Sequence, residues 1–383
     1  MKETAPHTRT KGRGLLVATT LGIFAFTGCT APDVAPPAAL DGPGPFGVGR
    51  TRIALDVGER DVPVEIWFPA DGRDSTSVSL ATLALDDARA AQWTEWLSAA
   101  PAECVREEIL AASTSSPVRG GFPLIVMSHC HECSRLGAVQ IAETLAGHGF
   151  VVAAPDHVGG DLFSGLEGTS TGFTPTTLAT RTEDVNAVLA AVHDGQGLSS
   201  DAALLLEGVV SADEVGLIGH SFGVTTINTV HREDDRVGGL MALAGPLNVF
   251  GEAPADEVTV PLLALRSSED NTIGEVGNDL IRSQFDEVPQ DKWFIDVLDA
   301  GHYSFLDICG LLDQFGTGCG EDQRQTDQEE LFSYLSPSRA RALTATYAVA
   351  FFSLVLKNDT RGRDLLFEKI DAAVVGPEFT AAL

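Results

Sequence analysis

Ser221, Asp270 and His302 have the residue types, and stand in the chain order, of a nucleophile, an acid and a base. Ser221 lies in Gly219-His220-Ser221-Phe222-Gly223, after an apolar run at 215–218 and before a segment with helical spacing at 224–230. Strand, Gly-x-Ser-x-Gly, helix predicts a sharp turn with the serine at its apex. Side chains two residues either side would collide where strand and helix converge, which explains a glycine at each place. Strain at the turn lifts the hydroxyl clear of the sheet, and the helix N-terminus behind it favours developing negative charge.

A serine hydroxyl attacks well only when a base takes its proton. With nine histidines in the chain, position must single out the base. His302 sits in Asp299-Ala300-Gly301-His302-Tyr303-Ser304-Phe305, directly after the last predicted strand, at 293–298. Gly301 is expected to let the chain turn, with Tyr303 and Phe305 anchoring the loop. The acid must orient the imidazole and stabilise its charged form. It is expected after the strand at 260–265, where Asp270 follows Ser221 by 49 residues and precedes His302 by 32. Glu269 is the second choice, and Asp299 is too near His302 along the chain.

Positioning such groups takes a scaffold, and the chain predicts one. Strands at 52–57 and 62–68 read as an antiparallel hairpin at a sheet edge, followed by an insertion at about 71–118 with a helical patch bearing Trp93 and Trp96. Short apolar strands at 124–127, 150–154, 215–218, 237–243, 260–265 and 293–298 then alternate with helical spacing at 138–145 and 185–192. A long unpatterned loop is expected at 158–180, and loops of this length are commonly functional. Ser336-Pro337 predicts the start of a last helix, reaching about 357, buried on the sheet and not spanning a membrane. The pattern is that of an α/β protein with a mostly parallel sheet and helices on both faces.

Composition sets the surroundings. The 383 residues carry a net charge of −29, which argues against binding nucleic acid or an anionic membrane through charge. Lys2, Arg9, Lys11 and Arg13 precede an apolar stretch at 15–26, too short to span a bilayer and of signal-peptide length. Phe26-Thr27-Gly28-Cys29 resembles a bacterial lipoprotein box, which implies lipidation of Cys29 and a membrane-anchored protein; Phe26 stands where leucine is usual, so cleavage by ordinary signal peptidase, giving a periplasmic or secreted protein, is the alternative. Residues 1–28 are therefore expected to be a signal peptide, 29–49 a Pro/Ala/Gly-rich tether, and 50–383 the catalytic domain. Export permits disulfides. Cys309 with Cys319 is the first pair expected, Cys104 with Cys133 or Cys130 the second, with one thiol left over.

The chain resembles α/β-hydrolases of the platelet-activating-factor acetylhydrolase type, a group close to dienelactone hydrolases and bacterial cutinase-like polyester hydrolases. The resemblance rests on Val64-Glu65-Ile66-Trp67-Phe68-Pro69-Ala70, the segments 122–129, 145–157 and 181–189, the serine turn, and Gly301-His302. It implies the α/β-hydrolase fold and a Ser-His-Asp ester hydrolase with no cofactor. In the acetylhydrolases the acid follows the strand after the serine helix. Here that strand ends Ala242-Leu243-Ala244-Gly245-Pro246, which moves the role to Asp270. The family also has His-Gly-x-Gly after the strand ending at Ser128, where this chain reads His129-Cys130-His131-Glu132-Cys133. Carried over, the oxyanion donors are the backbone N–H groups of Phe222 and His131. Adjacent residues on so short a loop cannot all converge on one zinc ion, so no metal is expected and a disulfide through Cys133 or Cys130 is. Asp156 and His157 are read as structural hydrogen-bonders, His220 as packing beside the serine, and Phe163 and Phe173 as a wall for the acyl or leaving group. Polyester or lipid hydrolysis is the alternative activity. A catalytically silent binding protein on the same fold is the alternative of another class.

Overall fold

Strict alternation along short apolar strands builds the sheet. In Phe122–Ser128, Leu124 and Val126 enter one buried cluster, while Ile125 and Met127 enter the other. A strand buried on both sides needs helices over each face. The computed structural model describes residues 39–72, 77–106, 108–110, 116–368, 370–376 and 380–382. The expected leader, Cys29 and the tether up to residue 38 lie outside the described residues.

Strands β1 (Gly47–Val57) and β2 (Arg60–Ala70) form the antiparallel hairpin. The insertion holds a small ribbon, β3 (Ser77–Ser79) with β4 (Glu108–Leu110), around helix α1 (Asp87–Ala99). Strand and helix then alternate through β5 (Phe122–Ser128), α2 (Val139–Gly147), β6 (Val151–Pro155), α3 (Leu162–Leu166), α4 (Pro175–Val188) and α5 (Ser200–Leu206). They continue through β7 (Val210–His220), α6 (Phe222–Val230), β8 (Val237–Leu243), β9 (Leu262–Ser267), α7 (Gly274–Glu287) and β10 (Lys292–Val297). A ribbon of β11 (Glu321–Gln323) and β12 (Leu331–Ser333), helices α8 (Pro337–Lys357) and α9 (Thr360–Phe367), and edge strand β13 (Thr380–Ala382) complete the chain.

The main sheet runs β1-β2-β6-β5-β7-β8-β9-β10-β13. From β6 to β10 neighbouring strands are parallel; the edges are antiparallel. One face packs on α2 and α8 through residues such as Ile141, Leu145, Tyr347 and Phe351. The other packs on α4, α6 and α7 through Val185, Ile227 and Phe285. Helix α8 is apolar and long enough to cross a membrane by length and composition, yet 72% of its most apolar window is buried in the protein.

Two expectations are corrected. The 158–180 segment is not a structureless loop. It holds α3, capped by Asp161 accepting from the Phe163 and Ser164 N–H groups, and α4 begins at Pro175 behind a Thr174 cap. Helix α4 escapes a hydrophobic scan because its inward face is partly polar: Thr177, Arg181, Thr182 and Asp184 are all buried. The cysteine pairing also differs. Cys104 bonds Cys319 and Cys130 bonds Cys133, with Cα–Cα distances of 5.7 and 5.1 Å, leaving Cys309 free and buried. Cys309 faces the core, and the next residue turns at Gly310 (φ 73°), against the Cys104–Cys319 bridge. Burial pushes the Cys309 thiol up to about 12, which makes it an inert core residue.

Candidate active site

The ends of β7, β9 and β10 meet at one edge of the sheet, where α/β folds place ligands. Ser221 follows β7 with φ 53° and ψ −118°, a conformation that costs roughly 1–3 kcal/mol and persists only when its surroundings enforce it. They do: a Cβ on Gly219 would overlap the Gly223 carbonyl, and one on Gly223 would overlap the Ser128 carbonyl. The Ser221 N–H donates to the Leu243 carbonyl at 2.9 Å, pinning the turn to the neighbouring strand.

Asp270 follows β9 and is fully buried. Its Oδ1 accepts the Thr272 and Ile273 N–H groups, both at 3.1 Å, and its Oδ2 lies 2.7 Å from His302 Nδ1. One oxygen is thus fixed by backbone while the other holds the imidazole. Glu269 points elsewhere, to Arg324 at 2.9 Å and the Gln325 N–H at 2.8 Å. With Nδ1 protonated toward Asp270, His302 Nε2 is left as the basic nitrogen. Gly301 serves by close approach, since a Cβ there would strike the Gly318 backbone; its φ is not left-handed.

His220 holds this base. Its Nε2–H donates to the His302 carbonyl at 2.8 Å, and the two rings lie 4.9 Å apart. Burial, and then the charge on His302, pushes His220 down to about 3, so it stays neutral. The Ser221 side and the His302 side are joined through this residue. No hydrogen bond within the described residues links Ser221 Oγ to His302; such contacts commonly tighten only when substrate binds.

Phe222 and His131 pack together, with ring centroids 6.1 Å apart. Neither of their backbone N–H groups donates to an acceptor within the described residues. Two free donors beside a nucleophile are suited to an oxyanion. Phe173 packs on Phe222 at 4.3 Å and on Phe250 at 5.1 Å, and is 48% exposed, so an aromatic surface opens to solvent beside the serine. Phe163 does not join it; its ring meets Trp96 at 5.9 Å and the Arg89 guanidinium at 4.3 Å.

Beneath the His131 loop lies a buried polar network. Arg181 from α4 donates to the His129 carbonyl, to Ser128 Oγ at 3.3 Å and to Thr226 Oγ1 at 3.2 Å. His157 joins Ser128 Oγ at 2.9 Å to Asp184 Oδ2 at 2.9 Å, and its N–H donates to His129 Nε2 at 3.0 Å. Burial first, then neighbouring positive charge, holds His129 and His157 well below the usual histidine range. Ser128, His157 and Asp184 repeat the residue types of a triad, but all three side chains are enclosed and Arg181 shares the hydroxyl. The buried polar face of α4 and Phe250 are the parts of this neighbourhood that sequence reasoning missed. An arginine at helical spacing among apolar positions was the available signal for the first. Among the described residues no three His, Cys, Asp or Glu side chains group to hold a metal ion.

Sheet order, the serine turn after β7 and the histidine after β10 define an α/β-hydrolase fold. A solved ferulic acid esterase from Streptomyces cinnamoneus superposes with a TM-score of 0.62 at 24% identity, covering 91% of this chain and 99% of that one. That likeness bears on the fold. Residues 37–160 match the family model of platelet-activating factor acetylhydrolase, isoform II, a stretch that runs from the first strands through the His131 loop to His157. No curated protein sequence matches the chain.

Proposed function

We propose that this protein is an exported serine hydrolase of carboxylic esters that works through an acyl-enzyme. The observation that carries the reading is a strained Ser221 at the sheet edge that also presents an Asp270-held His302 and two unpaired backbone donors. Ser221 Oγ attacks the ester carbonyl as His302 Nε2 takes its proton. Asp270 keeps the imidazole in the required tautomer and stabilises its charged form. The N–H groups of Phe222 and His131 receive the oxyanion. His302 then protonates the departing alcohol, and water, activated by the same nitrogen, releases the acid. The names of both similar proteins denote ester cleavage, and the two disulfides suit an exported chain.

The aromatic surface of Phe173 and Phe250, backed by the buried Phe222, is the wall for the ester's acyl or alcohol group. Hydrolysis of a p-nitrophenyl ester series from acetate upward, without added cofactor, tests the activity, and polyester films test the polymer alternative. Phe173→Ala should raise KM for the longer or aromatic esters by roughly 2- to 10-fold with kcat little changed, because it removes an aromatic contact worth about 0.5–1.5 kcal/mol. A fall in kcat alone would place Phe173 outside the binding surface.

A further inference from the structure

The His131 loop is built in an unusual way. Where the acetylhydrolase resemblance expects glycines, this chain has Cys130 and Glu132. Cys130 does not take a left-handed conformation, but Glu132 does, with φ 53°. Glycine enters that region freely, whereas a side-chain-bearing residue stays there only when its surroundings over-determine it.

The Cys130–Cys133 disulfide closes a small ring whose two enclosed residues are His131 and Glu132. Both cysteines are buried. Inside the ring the Cys133 N–H donates to the Cys130 carbonyl at 3.3 Å. Outside it the Glu132 N–H donates to the Gly160 carbonyl at 2.8 Å, and the Leu162 N–H to the Cys133 carbonyl at 2.6 Å. On the far side Arg181 holds the His129 carbonyl. The loop is therefore held at each end by hydrogen bonds and across its middle by a covalent bond.

We propose that the Cys130–Cys133 disulfide is a positioning element of the oxyanion hole. It keeps Glu132 left-handed and so aims the His131 N–H, the task that glycines at 130 and 132 would perform. The proposal rests on the ester-hydrolase reading above. An oxyanion donor acts through preorganisation, so a loop free to relax loses rate more than it loses substrate affinity.

The test is Cys130→Ala/Cys133→Ala, measured for kcat, KM and Tm beside Cys104→Ala/Cys319→Ala. The first variant should lose roughly 10- to 100-fold in kcat with KM within about twofold of wild type. Its Tm should fall less than that of the second, which opens a cross-link between residues 215 apart and should keep its kcat. Cys130→Gly/Glu132→Gly/Cys133→Ala should recover kcat to within about threefold of wild type, since glycine accepts the left-handed turn without the bond. A folded Cys130→Ala/Cys133→Ala variant with wild-type kcat overturns the proposal. So does a folded glycine variant as slow as the alanine one, and that variant decides the matter if the alanine pair does not fold. Absence of ester hydrolysis by the wild-type protein sinks the underlying reading before any cysteine is changed. Hydrolysis lost in Ser221→Ala but indifferent to the disulfide sinks this proposal alone.

Discussion

Ser221→Ala and His302→Ala should each lower kcat for ester hydrolysis by roughly 10⁴- to 10⁶-fold, and the double variant should be no worse than either. The reason is that the two groups act as one device. Without the base the hydroxyl keeps its proton, and without the hydroxyl the base has nothing to activate. Residual rate then comes from the backbone donors and from binding alone. Asp270→Asn should cost roughly 10⁴-fold, because an amide facing His302 Nδ1 selects the wrong tautomer. Glu269→Gln is the control. Its carboxylate serves Arg324 and the Gln325 N–H, so its loss should lower Tm and leave kcat unchanged. Steady-state kinetics on one short ester reads all five proteins. A large effect at Glu269 with none at Asp270 would reverse the assignment of the acid.

The second large effect is on acid stability, through His220. This imidazole is buried and held neutral, pushed down to about 3. An unfolded histidine takes up a proton below about 6.5. Between those values the unfolded chain binds one proton more than the fold at this residue, so stability falls as pH falls, by about 1.4 kcal/mol per pH unit. His220→Gln keeps an N–H that can reach the His302 carbonyl but cannot titrate. Comparing the two proteins cancels the titrating groups that His220 does not touch. The variant should gain about 2 kcal/mol relative to wild type on going from pH 7 to pH 5, read from urea unfolding at each pH. Parallel curves for the two proteins would show that His220 carries no such burden.

The strands were legible because burial on both faces leaves short runs of apolar residues, as at 124–127. The serine turn was legible because its steric demands fall on Gly219 and Gly223, each two residues from Ser221. Asp270 and His302 could be picked out by their places after strands, and the fold sets one against the other at 2.7 Å. Contacts that depend on long-range geometry were hidden. Cys104 and Cys319 lie 215 residues apart, and nothing local says that Cys319 pairs with Cys104 while Cys309 stays unpaired in the core. The first turns of α4 were hidden for another reason. Their inward residues, Thr177, Arg181 and Asp184, meet polar partners beneath the His131 loop, so the buried stripe of the helix does not read as apolar. The left-handed Glu132 is invisible for the same kind of reason, since the disulfide and the Gly160 carbonyl that enforce it come from the fold.

In the proposed reaction Ser221 is the activated nucleophile, and the enclosed Ser128–His157–Asp184 group is its natural internal rival. Reaction of the folded protein with a fluorophosphonate probe, followed by peptide mapping, separates them. A single adduct is expected, on Ser221, lost in Ser221→Ala and on prior denaturation. An adduct on Ser128 or another serine, or no adduct from a protein that hydrolyses esters, would contradict it.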